Sequence, residues 1–573
     1  PDGFEILNGT DPSGGNPVFT GVLATIPPTN GAFSDFVTTG NDLAILGNGP
    51  QGIDIFEIGS GVQPIKLSSF DTPGSVRKAA LSQNYLSIAD AGAGLTVLDL
   101  TDPENPIQLW NLPQESPANA VAVAGKIAFV GLENGVIRSF DLFSGQQIDE
   151  VTLSVPSGSM GVEDLAWANN QLYALTDSPY YRQWGSWRSK FHSIPSQNGR
   201  FADDDGPFLP RNEVSNYGYR PYKNGRKLFV GDRFAYVADI QGFNHIDLSV
   251  PTSPSEPTRI KTNSIGWRQI VSNGSGLAIT AEAATYRNPG DVSIYTTAED
   301  GSLFRAGGFL ENFESTFPTS GDTRSVSIYN GLAYAADGSS GLQVVNYRSY
   351  DILGNRPTLE VQLDDMEGVV EEAKLLTLRA FVFDDVQVKN VDFFVDGEKV
   401  FVDGGYPFSH TLEVPLRRDQ ATLRLRVVAR DTGGNEAYWP GPTSSDEYEL
   451  EIRDDFIAPE VITYIPGEDA TVYPEDTVIV LFNERMDPDS INVRSIRFYQ
   501  VNEDNSTIPL ELISVHYDDS TQSVYATLPS DIKPAKYRIL ATDLATDLAG
   551  NALDAPAPFR NLYGPGELRG QFW

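Results

Sequence analysis

Cysteine is absent from all 573 residues, which excludes a disulfide framework, a thiolate zinc site and a cysteine nucleophile. Histidine is nearly as scarce. The four residues His192, His245, His410 and His516 are scattered with no metal-ligand spacing among them, which argues against a zinc or non-haem iron centre. No run of eighteen apolar residues occurs, so no transmembrane helix is expected. Positive charge is also short: 41 Lys and Arg against 77 Asp and Glu leave a formal net charge of −36, the wrong sign for a nucleic-acid partner. G-x-S-x-G, Walker and dinucleotide motifs are missing, as is the Asp box of sialidase propellers. Pro1 opens the chain without the basic, apolar and small-residue succession of a signal peptide, so a processed or partial chain is expected.

Glycine (52), proline (38) and an 11% aromatic content describe a folded, turn-rich β protein. The length allows two to four domains. Along residues 94–113, "GLTVLDLTDPENPIQLWNLP", apolar and polar residues alternate, break at Asp-Pro and alternate again. Seven segments share the hairpin signature of two short apolar runs around a polar or Gly turn. They are residues 35–47, 78–90, 119–131, 163–175, 227–239, 269–280 and 325–337. A third strand follows at 52–58, 94–100, 135–142, 242–248, 291–297 and 341–347, with only a weak candidate, 190–196, in the fourth unit. Four strands in a spacing of about 42 residues describe one blade of a propeller. The expected fold is all-β, with a seven-bladed β-propeller over residues 1–350.

The last unit stops at its third strand near Tyr347, whereas "NPVFTGVLATIPP" (16–28) has fourth-strand character and no blade of its own. Residues near 17–26 are therefore expected to pair with 341–347 and close the ring without an open edge. Residues 3–17, "GFEILNGTDPSGGNP", mimic a third strand and its turn. Two readings of them stay open: a duplicate strand of the last blade, or the remnant of an upstream unit. "GLTVLDLTDPENP", "GFNHIDLSVPTSP" and "GLQVVNY" resemble the LVIVD repeats of bacterial and archaeal surface propellers. That resemblance implies architecture and an extracellular, prokaryotic setting, and carries no catalytic motif.

Beyond Tyr350 the repeat ends. Residues 351–455 hold six or seven alternating strands, with "VDFFVDG" and an "ARDTGGN" turn, and resemble the Ig-like β-sandwich modules of bacterial surface proteins. Residues 456–560, with "FNERMDPDSI" and "DLAGNAL", resemble the Ig-like domains of surface-layer and cell-wall proteins. Residues 561–573 read as a tail or the start of a further module. Acidic residues outnumber basic ones 41 to 19 over 351–573, a net of −22, against 36 to 22 over 1–350. Such acidity fits either calcium-rich or saline surroundings or plain solubility.

Calcium takes six to eight hard oxygens, supplied by Asp, Asn, Glu and loop carbonyls. Asp384 and Asp385 can converge with Asp431, Asn435 and Glu436 at one pole of the first sandwich. Asp543, Asp547 and Asn551 offer a similar set in the second. The competing reading is that these residues only make turns. "ADDDG" (202–206) is a third, weaker candidate. No organic cofactor is expected.

Residues 178–227 carry nine Lys or Arg against four acidic residues, with ten aromatics, a local inversion of the chain's charge. Read as an insertion between the second and third strands of the fourth blade, this segment is the expected partner- or glycan-binding surface. Tyr180, Tyr181, Trp184, Trp187, Arg188 and Lys190 stand at its centre, since rings beside cations suit sugar faces, acidic polymers and protein anchors. The rival reading is a satellite core under a long loop. Together these features predict a non-catalytic extracellular surface protein mediating adhesion or assembly, as a surface-layer, filament or matrix component. Its expected partners are other copies of itself, other surface proteins and acidic glycans. Two alternatives stand beside this reading: a polysaccharide-active propeller enzyme with accessory sandwiches, and an architectural spacer without a ligand.

Overall fold

A computed structural model describes residues 20–565 except 60–62, 143–144, 154, 156–160, 170, 178–186, 198, 202–211, 219–226, 240–241, 262–265, 284–290, 298–304, 307–308, 311–312, 364–367, 468, 519–521 and 555–558. Residues 3–17, Tyr180, Tyr181, Trp184 and the 202–206 run lie outside the described residues, as does most of the C-terminal tail. Two compact units form. One comprises residues 1–363, 377–410 and 425–448, and the other residues 364–376, 411–424 and 449–573. The first Ig-like module contributes strands to both.

Among the described residues of the first unit, seven antiparallel sheets of four or five strands follow one another between Gly21 and Asn346. In the second sheet, the order Lys78–Ser82, Tyr85–Ala89, Leu95–Asp99, Ile107–Leu112 shows how the sequence sets burial. The third strand, "LTVLD", is buried at four consecutive positions, since neighbouring sheets cover both of its faces and leave no polar side. The outer strand is half-exposed and mixes polar with apolar residues. Innermost strands of successive sheets pack together, and the seventh meets the first: Thr39 and Ser327 hydroxyls lie 2.7 Å apart, and the Asp42 N–H donates to the Tyr329 hydroxyl at 2.9 Å. The sheets therefore form a closed ring, a β-propeller.

Closure uses the N-terminus. Gly21–Ile26 pairs antiparallel with Leu342–Asn346 as the fourth strand of the last sheet, and Leu23, Ala24 and Ile26 pack on its core. A glycine repeated in register shows that this strand occupies an ordinary fourth-strand place. Gly52, Gly94 and Gly341 all have positive φ, at 72°, 86° and 78°. A Cβ at each would sit 2.0–2.2 Å from a fourth-strand carbonyl: that of Phe70, Leu112 or Ile26. The glycine opening each "G-apolar" third strand is thus required twice, by its left-handed backbone and by the strand beside it.

The residue opening the same turn is a buried polar one. Asp90 accepts from the Thr72 hydroxyl at 2.9 Å and the Gly74 N–H at 2.9 Å. Asp337 accepts from the Thr319 hydroxyl at 2.8 Å, the Thr323 hydroxyl at 3.0 Å and the Gly321 N–H at 2.7 Å. Asn48 occupies the place in the first sheet, bonding Ser34 and Asp54. Burial raises both Asp carboxyls above the usual range, against these donors. Asp90→Ala is expected to destabilise the fold by about 2 kcal/mol, because buried donors lose their acceptor. Asp90→Asn should cost less than half of that in a denaturant melt, since Asn48 already serves the same turn.

The fourth sheet corrects the reading of 178–227 as one insertion between two strands. Trp187–Gln197 is the third strand of that sheet, paired with Gln171–Asp177 and, on its other side, with Asn212–Gly218. Phe191 and Ile194 are fully buried, Phe191 stacking on Tyr173 at 5.5 Å. Phe201 is buried against Phe129. Two of the segment's ten aromatics, Phe191 and Phe201, are therefore blade core together with Ile194, which is why its sequence departs from the repeat without leaving the ring.

The first sandwich also contributes to this unit. Thr358–Leu363 pairs with residues 378–383, and Val388–Val395 lies between Glu398–Asp403 and residues 425–431. In the second unit, Val369–Glu371 runs parallel to residues 451–453. There the second sandwich closes a four-stranded sheet over a five-stranded one around Phe482, Phe498, Tyr537 and Ile539. Its strands Thr477–Phe482 and Lys536–Ala541 bury every second residue, the pattern of a sheet with one wet face. Its last strand, Phe559–Tyr563, pairs with Lys536–Ala541, so the expected boundary at 560 falls inside a strand.

Candidate functional site

Among the described residues, two carboxylate clusters form, one where the chain enters each sandwich, and both are built on the same D-x-x-G-N turn. In the first, Asp431 Oδ1 accepts from the Asn435 N–H at 2.8 Å and Asp431 Oδ2 from the Asn435 amide at 2.8 Å. In the second, Asp547 receives the Asn551 N–H and amide, each at 2.8 Å. Gly434 and Gly550 stand in the left-handed region, φ 88° and 96°, which explains the glycine of each turn. The spare proton of each Asn amide reaches the incoming segment, at Asp351 Oδ2 (3.2 Å) and the Asp455 carbonyl (2.8 Å).

Around the first turn, Asp351, Asp384 and Asp385 bring carboxylate oxygens within 4.8 Å of one another. Asp384 Oδ2 accepts from the Val386 and Gln387 N–H groups at 2.9 and 2.8 Å, whereas its buried Oδ1 has no hydrogen-bond partner among the described residues. Burial pushes the Asp384 carboxyl up to about 6, with Asp431 and Asp385 adding to the effect against the two backbone donors. Burial likewise raises Asp351, reinforced by Asp431 and Asp385. Of the expected ligand set, Asp384, Asp385, Asp431 and Asn435 do converge. Glu436 does not: Arg430 takes its carboxylate at 2.5 Å and the Tyr438 hydroxyl binds the other oxygen. Asp351 enters from the linker, where no strand pattern marks it.

Around the second turn the trio is Asp455, Glu484 and Asp547. Here the Lys374 ammonium bridges Asp455 at 2.9 Å and Glu484 at 3.0 Å. Burial alone pulls this lysine's pKa down, but the two carboxylates outweigh it and hold it above the ordinary value. Asp543 is exposed and stands outside the trio. Of the expected recognition residues, Trp187 and Arg188 sit in the fourth sheet opposite Gly218 and Tyr217, and the half-buried Lys190 pairs with Thr176 and Ser215.

The propeller axis holds a cavity of about 300 Å³ lined by the innermost strands and by Tyr406 of the first sandwich. Its charges answer one another. Lys78 pairs with Asp164, whose carboxylate also accepts from the Leu165 N–H at 2.9 Å and the Leu228 N–H at 2.8 Å. Arg268 and Arg324 share Asp322 at 2.9 and 3.1 Å. Burial pulls the Lys227 ammonium down to about 8. Tyr406 stacks near Phe229 and Phe234, both at 6.3 Å, and its hydroxyl accepts the Asp232 N–H at 3.1 Å. A Cβ on Gly231 or Gly274 would meet the Tyr406 ring at 2.8 or 2.6 Å, so both glycines make room for it. Tyr406→Phe, which removes that acceptor and the hydroxyl's bond to the Asp232 carboxylate, is expected to cost about 1–3 kcal/mol in chemical unfolding of the full chain.

Residues 73–111, 225–262 and 320–346 match the LVIVD repeat, and residues 364–427 match a bacterial Ig domain. The chain therefore carries a repeat propeller followed by a bacterial Ig-like module. No curated protein matches the sequence. Among solved structures it is similar to the Pan2 WD40 domain of Neurospora crassa, at 12% identity over 55% of this chain and 89% of that one, TM-score 0.38. BamB from Moraxella catarrhalis is 14% identical over 54% and 83%, TM-score 0.36. The WD40 propeller of Doa1 is 10% identical over 57% and 96%, TM-score 0.38.

Proposed function

We propose that the chain is a non-catalytic component of a bacterial cell surface, in which the propeller and its Ig-like modules serve adhesion or assembly. The observation that carries this reading is the joint occurrence of LVIVD repeats and a bacterial Ig domain in one chain, the composition of a surface or structural protein. The docking supports it. Besides Tyr406, the Gly404 carbonyl accepts the Asn330 N–H at 2.8 Å, and the Asp384 N–H donates to the Ser275 hydroxyl at 3.3 Å. Propeller and sandwich thus share polar and aromatic contacts where a flexible tether would have none. In the axial cavity, the hydrogen bonds of Asp164 go to backbone and lysine donors, a structural use of the carboxylate.

The recognition surface in this reading is the basic, aromatic segment around Tyr180, Tyr181, Trp184, Trp187, Arg188 and Lys190, facing acidic glycans or acidic neighbouring copies. Protease added to intact producing cells is expected to degrade the chain, and Trp184→Ala with Trp187→Ala to weaken its binding to acidic glycans or its self-association at unchanged melting temperature. Protection of the chain until lysis would overturn the surface assignment. Turnover of a polysaccharide that vanishes on replacing Glu163 or Asp164 would replace the reading with an enzymatic one.

A further inference from the structure

The two D-x-x-G-N clusters differ in charge: the second contains a cation, and among the described residues the first does not. Their parts are similar, although the turn's Asp547 belongs to the second trio and Asp431 stands beside the first. An Asp arrives on the incoming segment (Asp351, Asp455), an acidic residue follows a strand ending in Phe (Asp384 after Phe383, Glu484 shortly after Phe482), and the turn adds its own Asp and Asn. In the second cluster Lys374 pairs with two of the carboxylates. In the first, no ion pair among the described residues reaches Asp351, Asp384, Asp385 or Asp431. Asp384 is 2% exposed, and its Oδ1 has no hydrogen-bond partner among the described residues. Desolvating an ionised carboxylate without a counter-charge is strongly unfavourable.

We propose that Asp351, Asp384 and Asp385 bind a calcium ion, which supplies at the first cluster the positive charge that Lys374 supplies at the second. All three donors are hard carboxylate oxygens, and oxygens no more than 4.8 Å apart can share an ion at the calcium–oxygen distance of about 2.3–2.6 Å. The shorter bonds and strict octahedron of magnesium fit less well a site in which two of the three carboxylates, Asp384 and Asp385, are neighbours in the chain. Asp385, exposed and bonded to the Asn355 amide at 2.7 Å, leaves the ion open to water for its remaining ligands. The site is a property of the folded chain and stands whether or not the chain belongs to a cell surface.

Calorimetric titration of the full chain with calcium chloride, against magnesium chloride at matched ionic strength, tests it. The expected result is a calcium-selective site that Asp385→Asn, an exposed change with little risk to folding, weakens at least tenfold and that Asp384→Asn abolishes. Lys374→Met is expected to raise the calcium stoichiometry by one, because it leaves the second trio as the first now stands. Absence of calcium binding, a preference for magnesium, or binding unchanged in both Asp variants would each overturn the proposal. An unchanged stoichiometry in Lys374→Met would overturn the equivalence of the two clusters.

Discussion

A chain lacking residues 1–27 is expected to lose its cooperative unfolding transition, or to aggregate, because the propeller loses the strand that closes it. The truncation strips Gly21–Ile26 from Leu342–Asn346, removes the 2.6 Å bond between Thr25 and Gln343, and uncovers the core beneath Leu23, Ala24 and Ile26. Backbone bonds at about 1 kcal/mol each and two aliphatic side chains at about 1.5 kcal/mol or more each sum to well over 5 kcal/mol. That equals much of the roughly 5–15 kcal/mol by which a domain is stable. The bared edge would also template pairing with another chain. Differential scanning calorimetry and light scattering decide it. A peptide covering residues 18–28 should restore part of the transition, whereas an unchanged melting profile in the truncated chain would show that the ring holds without the exchange.

Lys374→Met should destabilise the second unit by about 3 kcal/mol in chelator. Asp455 is 3% exposed, and its carboxylate would be left buried beside Glu484 and Asp547 without a counter-charge. Removing one partner of a buried pair costs about 3–5 kcal/mol, and the lower end applies because the lysine side chain is 35% exposed. Urea titration of the full chain with fluorescence detection measures the change. Millimolar calcium is expected to return most of the loss through preferential binding to the folded state, and a chain insensitive to the substitution would mean that the trio is stabilised by its own hydrogen bonds.

The propeller hairpins were legible because each strand pair carries short apolar runs around a turn residue, and the closing strand was legible as a missing fourth member. The third strand of the fourth sheet was hard to read for a definite reason. "WRSKFHSIPSQ" (187–197) mixes charges and a proline into a strand flanked on both edges by others, and its identity comes from pairing rather than from pattern. At the clusters, the paired turns were visible as Asp, Gly and Asn at fixed offsets. Asp351 and Asp455 were not, because linker residues show no periodicity. Lys374 was further out of reach: it lies 81 residues before Asp455 (455 − 374), and only the fold brings an exposed-looking lysine onto buried carboxylates. Tyr406 was hidden similarly, its meaning residing in Gly231 and Gly274, whose missing side chains accept the ring.

The glycine contact between Gly341 and the Ile26 carbonyl also sets a schedule for the nascent chain. Gly21 meets Asn346 across 325 residues (346 − 21), a separation whose closure costs about 5 kcal/mol of chain entropy. During synthesis or export from the N-terminus, the first strand emerges early and waits for a partner made more than three hundred residues later. Six sheets can assemble in that interval, each fed by local hairpins, while an unpaired strand remains attached to them. Completion of the ring is therefore the slow, late event in the propeller's biogenesis, and a pause in synthesis or export before residue 342 would leave a nearly finished propeller with a free strand available to a neighbouring chain.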